Sequence, residues 1–339
     1  MFMNELVLFP VRKLGACLLA LALIVPATSV QATNPIRIAI AYDLGGRGDH
    51  GINDAVAVGV DAIKKKFGLT SLDVREMVTN GSESDREKRL QFLADANYAL
   101  VIAVGSAYAK AVNVVCLANP NTQFAIINDS SVANLNVSNM TFQNSDGAYL
   151  AGVLAGAATK SNKVGFIGPV ALANIYADFQ LGVASVKPKA ITYSQISDYV
   201  SAKDVQSLST RGADVIFSEW STTSDVQDSF ATLSTKQHPL YLIGVSPDQY
   251  FLLNKNGQKF LLGAVTRRLD LATEDVMIAA LHSVTIEDVL DPNLGIFGQL
   301  YSVKSGGESM ALTNLGSAYS KPVAIAIKAL KAGKIKLSN

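Results

Sequence analysis

Short apolar runs alternate with longer amphipathic stretches along most of this chain. Runs over 36–42, 72–77, 99–104, 124–128, 164–168, 190–196, 213–218, 240–245 and 260–265 predict strands. Amphipathic stretches such as 54–67, 85–96, 107–117, 148–159, 173–186 and 222–234 predict helices between them. The run Ala99-Leu100-Val101-Ile102-Ala103-Val104 is apolar at every position, which suits a strand covered on both faces. The alternation therefore predicts an α/β, doubly wound architecture. The stretch 148–214 repeats the pattern that begins at Ile36, so two Rossmann-like lobes in tandem are expected. No low-complexity linker separates them, and the chain is expected to cross over near 141–145.

The turn between the first strand and the first helix carries the most informative letters. Gly46-Arg47-Gly48-Asp49-His50-Gly51 spells G-x-G-x-x-G, and Glu76 ends the next strand, where a dinucleotide site keeps its ribose-binding acid. A nucleotide-cofactor site built on Gly46, Gly48 and Gly51 is thus a rival reading. Asp49 opposes it, because a carboxylate among the amides repels phosphate. A phosphate P-loop fails as well, since Ile52 follows Gly51 where a Lys is required. His50, His238 and His282 lie far apart, and no H-x-x-x-H, C-x-x-C or G-x-S-x-G occurs. Neither a metal, nor a resident cofactor, nor an enzyme is expected.

The N-terminal stretch changes what that turn can plausibly meet. Arg12 and Lys13 precede an apolar run from Leu14 to Val25, Pro26 breaks it, and Val30-Gln31-Ala32 is a small-x-small cleavage site. Residues 1–32 therefore read as a secretory signal. The run is short for a membrane span, and no later segment offers about 18 uninterrupted apolar residues. Leu14-Gly15-Ala16-Cys17 has lipobox letters, though it sits before the apolar run. Cleavage, retention of 14–25 as an anchor, and lipidation at Cys17 stay open. An exported chain, periplasmic or at the cell surface, lives where nicotinamide cofactors are scarce. The formal charge of +1 provides no basic field for nucleic acid. Cys116 is the one cysteine beyond the signal, so no internal disulfide is expected, and its helical setting predicts a buried, inert thiol.

Several segments together resemble the basic membrane protein family of bacterial substrate-binding proteins, whose purine-nucleoside receptors serve ABC importers. Asp43-Leu44-Gly45-Gly46-Arg47-Gly48-Asp49 with Asn53 is similar to the family's D-x-G-G-x-x-D…F-N signature. Asp146-Gly147-Ala148-Tyr149-Leu150-Ala151-Gly152 resembles its E-G-A-Y-L-A-G helix start, the most specific match. Lys163 to Gly168, then Phe179-Gln180-Leu181-Gly182, resemble its second-lobe strand and helix. Gly244-Val245-Ser246-Pro247-Asp248-Gln249 is similar to G-x-D-x-D-Q, and the tail 330–335 resembles the family's closing I-x-x-G-x-I.

The resemblance implies a type I periplasmic-binding-protein fold: two lobes with parallel sheets, joined by three hinge crossings, closing on a ligand. The lobes are expected over 33–142 with 266–296, and over 143–265 with 297–339. The implied function is binding of a nucleoside-like molecule for an ABC permease, by a monomer without nucleic acid. An exported sensor for another polar ligand, such as a sugar, is the alternative.

Site residues follow by position. Asp43 and Asp49 match the family, and Asn53 matches as a ligand contact or a helix cap. Ile52 stands where the family has a Phe that stacks on the base. Asn128 or Asp129 matches an Asp after the fourth strand, and Asp248 matches the second acid of G-x-D-x-D-Q, whereas Ser246 replaces the first. Arg267 replaces a Lys, keeping the charge but offering a planar donor fork. Trp220, the only tryptophan, lies in Ser218-Glu219-Trp220-Ser221-Thr222-Thr223, which replaces a family segment near A-G-G-T-G. It is either a substitute stacking surface or an ordinary loop Trp, and Glu219 is a candidate substitute for the acid missing at Ser246. Ser106 and Tyr108 follow the third strand and are expected to face the cleft. The scaffold matches throughout and the pocket only in part, which points to a nucleoside-class ligand or a related ribosyl or polar aromatic metabolite.

Overall fold

Strand β1 (Ile38–Tyr42) shows how the pattern becomes a sheet. Ile38, Ile40 and Tyr42 join one buried cluster, while Ala39 and Ala41 join another on the opposite face. Both faces are covered, so burial selects apolar residues at every position. A computed structural model describes residues 36–197, 199–219, 224–245, 253–255 and 257–338. Residues 1–32, expected to be an export signal, with Cys17, and also Trp220, Ser246 and Asp248, lie outside the described residues.

After β1 come helix α1 (Ile52–Phe67), β2 (Val74–Val78), α2 (Glu83–Asp95), β3 (Leu100–Val104), α3 (Ala109–Ala118), β4 (Gln123–Ile127) and β5 (Val137–Phe142). The chain then runs through α4 (Asn144–Ala158), β6 (Lys163–Gly168), α5 (Ile175–Val186), β7 (Ile191–Ile196), α6 (Ala202–Thr210), β8 (Val215–Ser218), α7 (Ser224–Leu233), β9 (Tyr241–Val245) and β10 (Leu261–Arg267). It returns as α8 (Leu269–Leu281), β11 (Asp288–Asp291) and β12 (Ile296–Tyr301), and ends with β13 (Glu308–Leu312) and α9 (Ser320–Lys331).

The first sheet has the order β11-β12-β5-β4-β3-β1-β2, and the second β13-β10-β9-β8-β6-β7. The sheets are mostly parallel, not wholly so: β11 runs antiparallel to β12, and β13 antiparallel to β10. Helices α1 and α8 cover one face of the first sheet, α2 and α3 the other. In the second, α4, α5 and α9 cover one face, α6 and α7 the other. Each fully buried Ile, Val, Leu or Phe in these layers contributes about 1.5–3 kcal/mol relative to exposure. Among the described residues, no helix is long and apolar enough to cross a membrane. Cys116 is buried, and that burial raises its thiol pKa.

The chain passes between the sheets three times: between Phe142 and Asn144, between Arg267 and Leu269, and between Tyr301 and Glu308. The third passage lies later than the 296/297 boundary expected from sequence. The cause is β12, which pairs with β5 in the first sheet from Gly298 to Tyr301. Close approach there requires Gly298, at φ +149°, because a β-carbon would lie 1.9 Å from the Asn139 carbonyl oxygen.

The Asp146-to-Gly152 motif that carries the family resemblance is a packing device. A β-carbon at Gly147 would lie 2.6 Å from Val265 Cγ1, and one at Gly152 would lie 2.1 Å from the Phe179 carbonyl oxygen. These glycines let α4 lie directly against β10 and α5.

Candidate binding cleft and hinge

The parallel order brings together the loops after β1, β3 and β4 at one carboxyl edge. In sheets of this kind, ligands bind outside the carboxyl ends of the strands. Asp43, Asp49, Ser106, Asn128 and Asp129 all lie on these three loops.

The β1–α1 turn satisfies itself. Asp49 Oδ1 accepts from the amides of Gly51 (2.7 Å) and Asp54 (3.1 Å), and Oδ2 from the Asn53 amide (3.2 Å) and Asn53 Nδ2 (2.8 Å). Asp54 accepts from the amides of Gly48 (2.6 Å) and His50 (3.0 Å). The amides that a pyrophosphate would need are therefore taken by two carboxylates at the positive end of α1. Glu76, the would-be ribose acid, accepts instead from Tyr42 Oη (2.9 Å) and Arg47 Nε (2.6 Å). Burial works against its charge, yet the bonds from Arg47 and Tyr42 hold its pKa below the ordinary carboxylate value. The glycine-rich letters thus describe a braced turn, and the dinucleotide reading loses both of its parts.

Two expected contacts, Asn53 and Tyr108, take other roles. Asn53 is 1% exposed. Its Oδ1 accepts from the Asp43 amide (3.0 Å), and its Nδ2 donates to Asp49 and to the carbonyls of Leu44 (3.3 Å) and Asp43 (3.4 Å). Its hydrogen-bonding capacity goes into holding the turn. Tyr108, expected in the cleft, is fully buried, and its hydroxyl donates to the Tyr42 carbonyl (3.1 Å). A residue turned into the core in this way offers no face to a ligand. Ile52 packs toward the first-lobe core, close enough that a β-carbon at Gly105 would lie 2.9 Å from its Cδ1.

Like Ile52 and Asp49, the remaining first-lobe candidates keep some exposure. Asp43 Oδ1 accepts from Arg86 Nη2 (2.7 Å) and Nε (3.2 Å), with Arg86 over the Tyr108 ring at 5.5 Å. Sequence reasoning missed Arg86, which reaches Asp43 from 43 residues away. Ser106 is exposed in a single helical turn after β3. Asn128 takes a left-handed φ of +65° and donates its amide to the Met140 carbonyl (2.7 Å). Asp129 Oδ1 accepts from the amide (2.8 Å) and hydroxyl (2.6 Å) of Ser131.

Arg267 is the centre of a cluster where the three crossings meet. It ends β10, and its Nη2 donates to Asn144 Oδ1 (2.7 Å) at the start of α4. It also pairs with Glu219, just after β8, and its Nε reaches Glu308 Oε1 (3.3 Å) at the start of β13. Burial alone would discourage the Arg267 charge, but Glu219 and Glu308 outweigh it and raise its pKa. Its Nε and Nη2 donate inside the protein. Backbone bonds tie the crossings further: Gln143 N to Tyr301 O (2.8 Å) and Arg268 N to Gly307 O (2.8 Å). The Val303 amide donates to Asp146 Oδ2 (2.8 Å). Beside the first crossing lies a cavity of about 390 Å³, bordered by Ser130, Gln143, Asn144, Asn174 and Asp291. Among the described residues, none of the sequence-expected contacts lines it.

A profile of ABC transporter substrate-binding proteins described as PnrA-like matches residues 36–282. A CD4+ T-cell-stimulating antigen from Listeria monocytogenes serovar 1/2a is 29% identical over 267 residues, which span 74% of this chain and 75% of the antigen. The ABC transporter nucleoside-binding protein BmpA of Lactococcus lactis subsp. cremoris is 26% identical over 325 residues, 91% of this chain and 90% of its own. A solved ABC transporter solute-binding protein from Conexibacter woesei superposes with a TM-score of 0.68 at 16% identity, over 90% of this chain and 99% of that one. A transcriptional activator of the comK gene from Bacillus halodurans reaches 0.67 at 16% identity, over 89% of this chain and 100% of that one. At such identity the solved structures speak to the fold alone, which is the type I periplasmic-binding-protein fold with its three crossings.

Proposed function

The chain belongs to the PnrA-like family of ABC transporter substrate-binding proteins, and from that membership we propose that it is the exported receptor of an ABC importer for a nucleoside-class molecule. The observation that carries the receptor reading is the adjacency of the three crossings, which are tied by Arg267 to Asn144 and Glu308, by Gln143 to Tyr301 and by Arg268 to Gly307. Such an arrangement allows two lobes to close by backbone rotations confined to few residues. A ligand that bonds both lobes shifts the population toward the closed form by its differential affinity.

The nucleoside class is supported by the name of the Lactococcus lactis relative. In the first lobe, Asp43, Ser106, Asn128 and Asp129 are polar groups with exposure to meet ligand hydroxyls or N–H donors. Specificity then comes from the cost of leaving such groups desolvated and unpaired. A membrane permease is the partner that reads the closed form. Calorimetric titration of the refolded, ligand-stripped protein against purine and pyrimidine nucleosides, free bases, ribose and NAD tests the proposal. Tight binding of a nucleoside with weak binding of its base supports it. A response to ribose or NAD alone overturns the ligand class.

A further inference from the structure

Asp43 directly follows β1, at the carboxyl edge outside which ligands bind in sheets of this kind. Its backbone is fixed: the amide donates to Asn53 Oδ1 (3.0 Å), and the carbonyl accepts from the Gly46 amide (3.1 Å). Its two carboxylate oxygens are treated unequally. Arg86 Nη2 (2.7 Å) and Nε (3.2 Å) both donate to Oδ1. Oδ2 has no hydrogen-bond partner among the described residues, and it is not one of the buried atoms left without one, which are Glu83 Oε1, Asn136 Oδ1 and Glu308 Oε2. One oxygen is committed and the other meets solvent. Arg86 is itself braced. Its amide donates to the Ser82 carbonyl (3.1 Å) at the start of α2, and its guanidinium lies 5.5 Å from the centre of the Tyr108 ring. Tyr108 is fully buried, and its hydroxyl donates to the carbonyl of Tyr42, the residue before Asp43. The Arg86 side chain is 11% exposed and that of Asp43 26%. Helix α2, the turn after β3 and the end of β1 thus converge on one carboxylate, from the side away from solvent.

We propose that Arg86 is a positioning residue for ligand recognition: by taking Asp43 Oδ1 with two donors it holds the carboxylate in one rotamer and presents Oδ2 as a single acceptor for one hydroxyl or N–H of a neutral ligand. The ligand half of this inference rests on the receptor reading above, whereas the held rotamer is a property of the free protein. The physical gain is preorganisation. A carboxylate free to turn would lose rotamer freedom on binding, and here that ordering is complete before the ligand arrives. The guanidinium also balances the carboxylate charge, so a ligand that covers Oδ2 does not bury an unpaired ion. With its charge already matched, the open oxygen calls for a neutral donor and not for a ligand cation, while its bond remains a charge-assisted one.

Three-bond NMR couplings across the Asp43 side chain, measured on the full chain labelled at aspartate and free of ligand, test the positioning. Wild type should show one χ1 rotamer, and Arg86→Gln an average over several. Averaged couplings in wild type, or a single rotamer that persists in Arg86→Gln, overturn the proposal. Should Arg86→Gln fail to fold, Arg86→Lys replaces it, with partial averaging expected because one ammonium cannot supply both donors. An unchanged single rotamer in Arg86→Lys overturns the proposal in that case. Calorimetric titration with adenosine and inosine then tests recognition. Arg86→Gln should weaken binding about tenfold, the scale of one hydrogen bond to a charged group, and Arg86→Lys less. In an Asp43→Asn background, Arg86→Gln should change affinity no further, which separates action through Asp43 from a general structural effect. Equal weakening with and without Asp43 overturns the proposal. Failure of wild type to bind any nucleoside overturns the nucleoside reading instead, and the ligand-free couplings still decide the role of Arg86.

Discussion

Gly152 on α4 and Gly182 on α5 face each other so closely that a β-carbon on either would lie 2.1 Å from a carbonyl oxygen of the opposite helix. The blocking oxygens belong to Phe179 and Tyr149, both backbone atoms that no rotamer change can move. Gly152→Ala should therefore force the helices apart and cost about 1–3 kcal/mol, as overpacking of a tight core does. Denaturant unfolding measures it, and a wild-type midpoint would show that α4 and α5 can slide at no cost.

Asn53 fastens the β1–α1 turn from inside. Asn53→Ala removes the partner of the Asp43 amide and one donor to Asp49. The expected loss is about 1–3 kcal/mol, the cost of leaving a buried polar group unsatisfied. Hydrogen exchange should accelerate at the Asp43 amide specifically. Normal stability with lost ligand binding would instead make Asn53 a ligand contact.

Arg267→Ala strands two acids. Glu219 and Glu308 would lose their shared cation, and breaking a buried pair from one side costs about 3–5 kcal/mol. Chemical denaturation near neutral pH is the check, with Arg267→Lys falling between variant and wild type because one ammonium cannot reproduce the fork. Unchanged stability in Arg267→Ala would return Arg267 to the role of a ligand contact.

The acid limb of stability should report Asp85. Its carboxylate is held at about 2, chiefly by Arg89, then by the Asn80 amide and the Thr79 hydroxyl. Because this lies below the ordinary value, its contribution is present above the unfolded pKa and lost as pH falls through the folded one. In Asp85→Asn, stability relative to wild type should be lowest at neutral pH, and the gap should close as pH falls from about 4 toward 2. A gap that is constant with pH would mean that the carboxylate charge contributes nothing.

The alternation of strands and helices was legible because it is local. β1, β3 and β4 are apolar on both faces, and their composition declares a covered parallel sheet before any contact is known. The family motif at Gly147 and Gly152 was legible too, although its reason is packing against β10 and α5. The strands β5 and β11 to β13 were absent from the apolar runs. β5 buries Ser138 and Asn139, whose side chains donate to the carbonyls of Ile286 and Phe297, 148 and 158 residues away. A strand stabilised by such distant partners has no local apolar signature. β13 begins with the buried carboxyl of Glu308, which only the Arg267 register explains.

The candidate site divides in the same way. Sequence alone set out the loops, because turn residues and strand ends are read from neighbours along the chain. It also singled out Asp49 and Arg267 as chemically special. What each does was decided by tertiary structure. Asp49 meets amides of its own turn and caps α1. Arg267 meets Glu308, Glu219 and Asn144 at separations of 41, 48 and 123 residues. Charge identity is written in one residue, but the commitment of that charge depends on which distant groups share its buried space. Burial makes those pairings strong, and no local pattern encodes them.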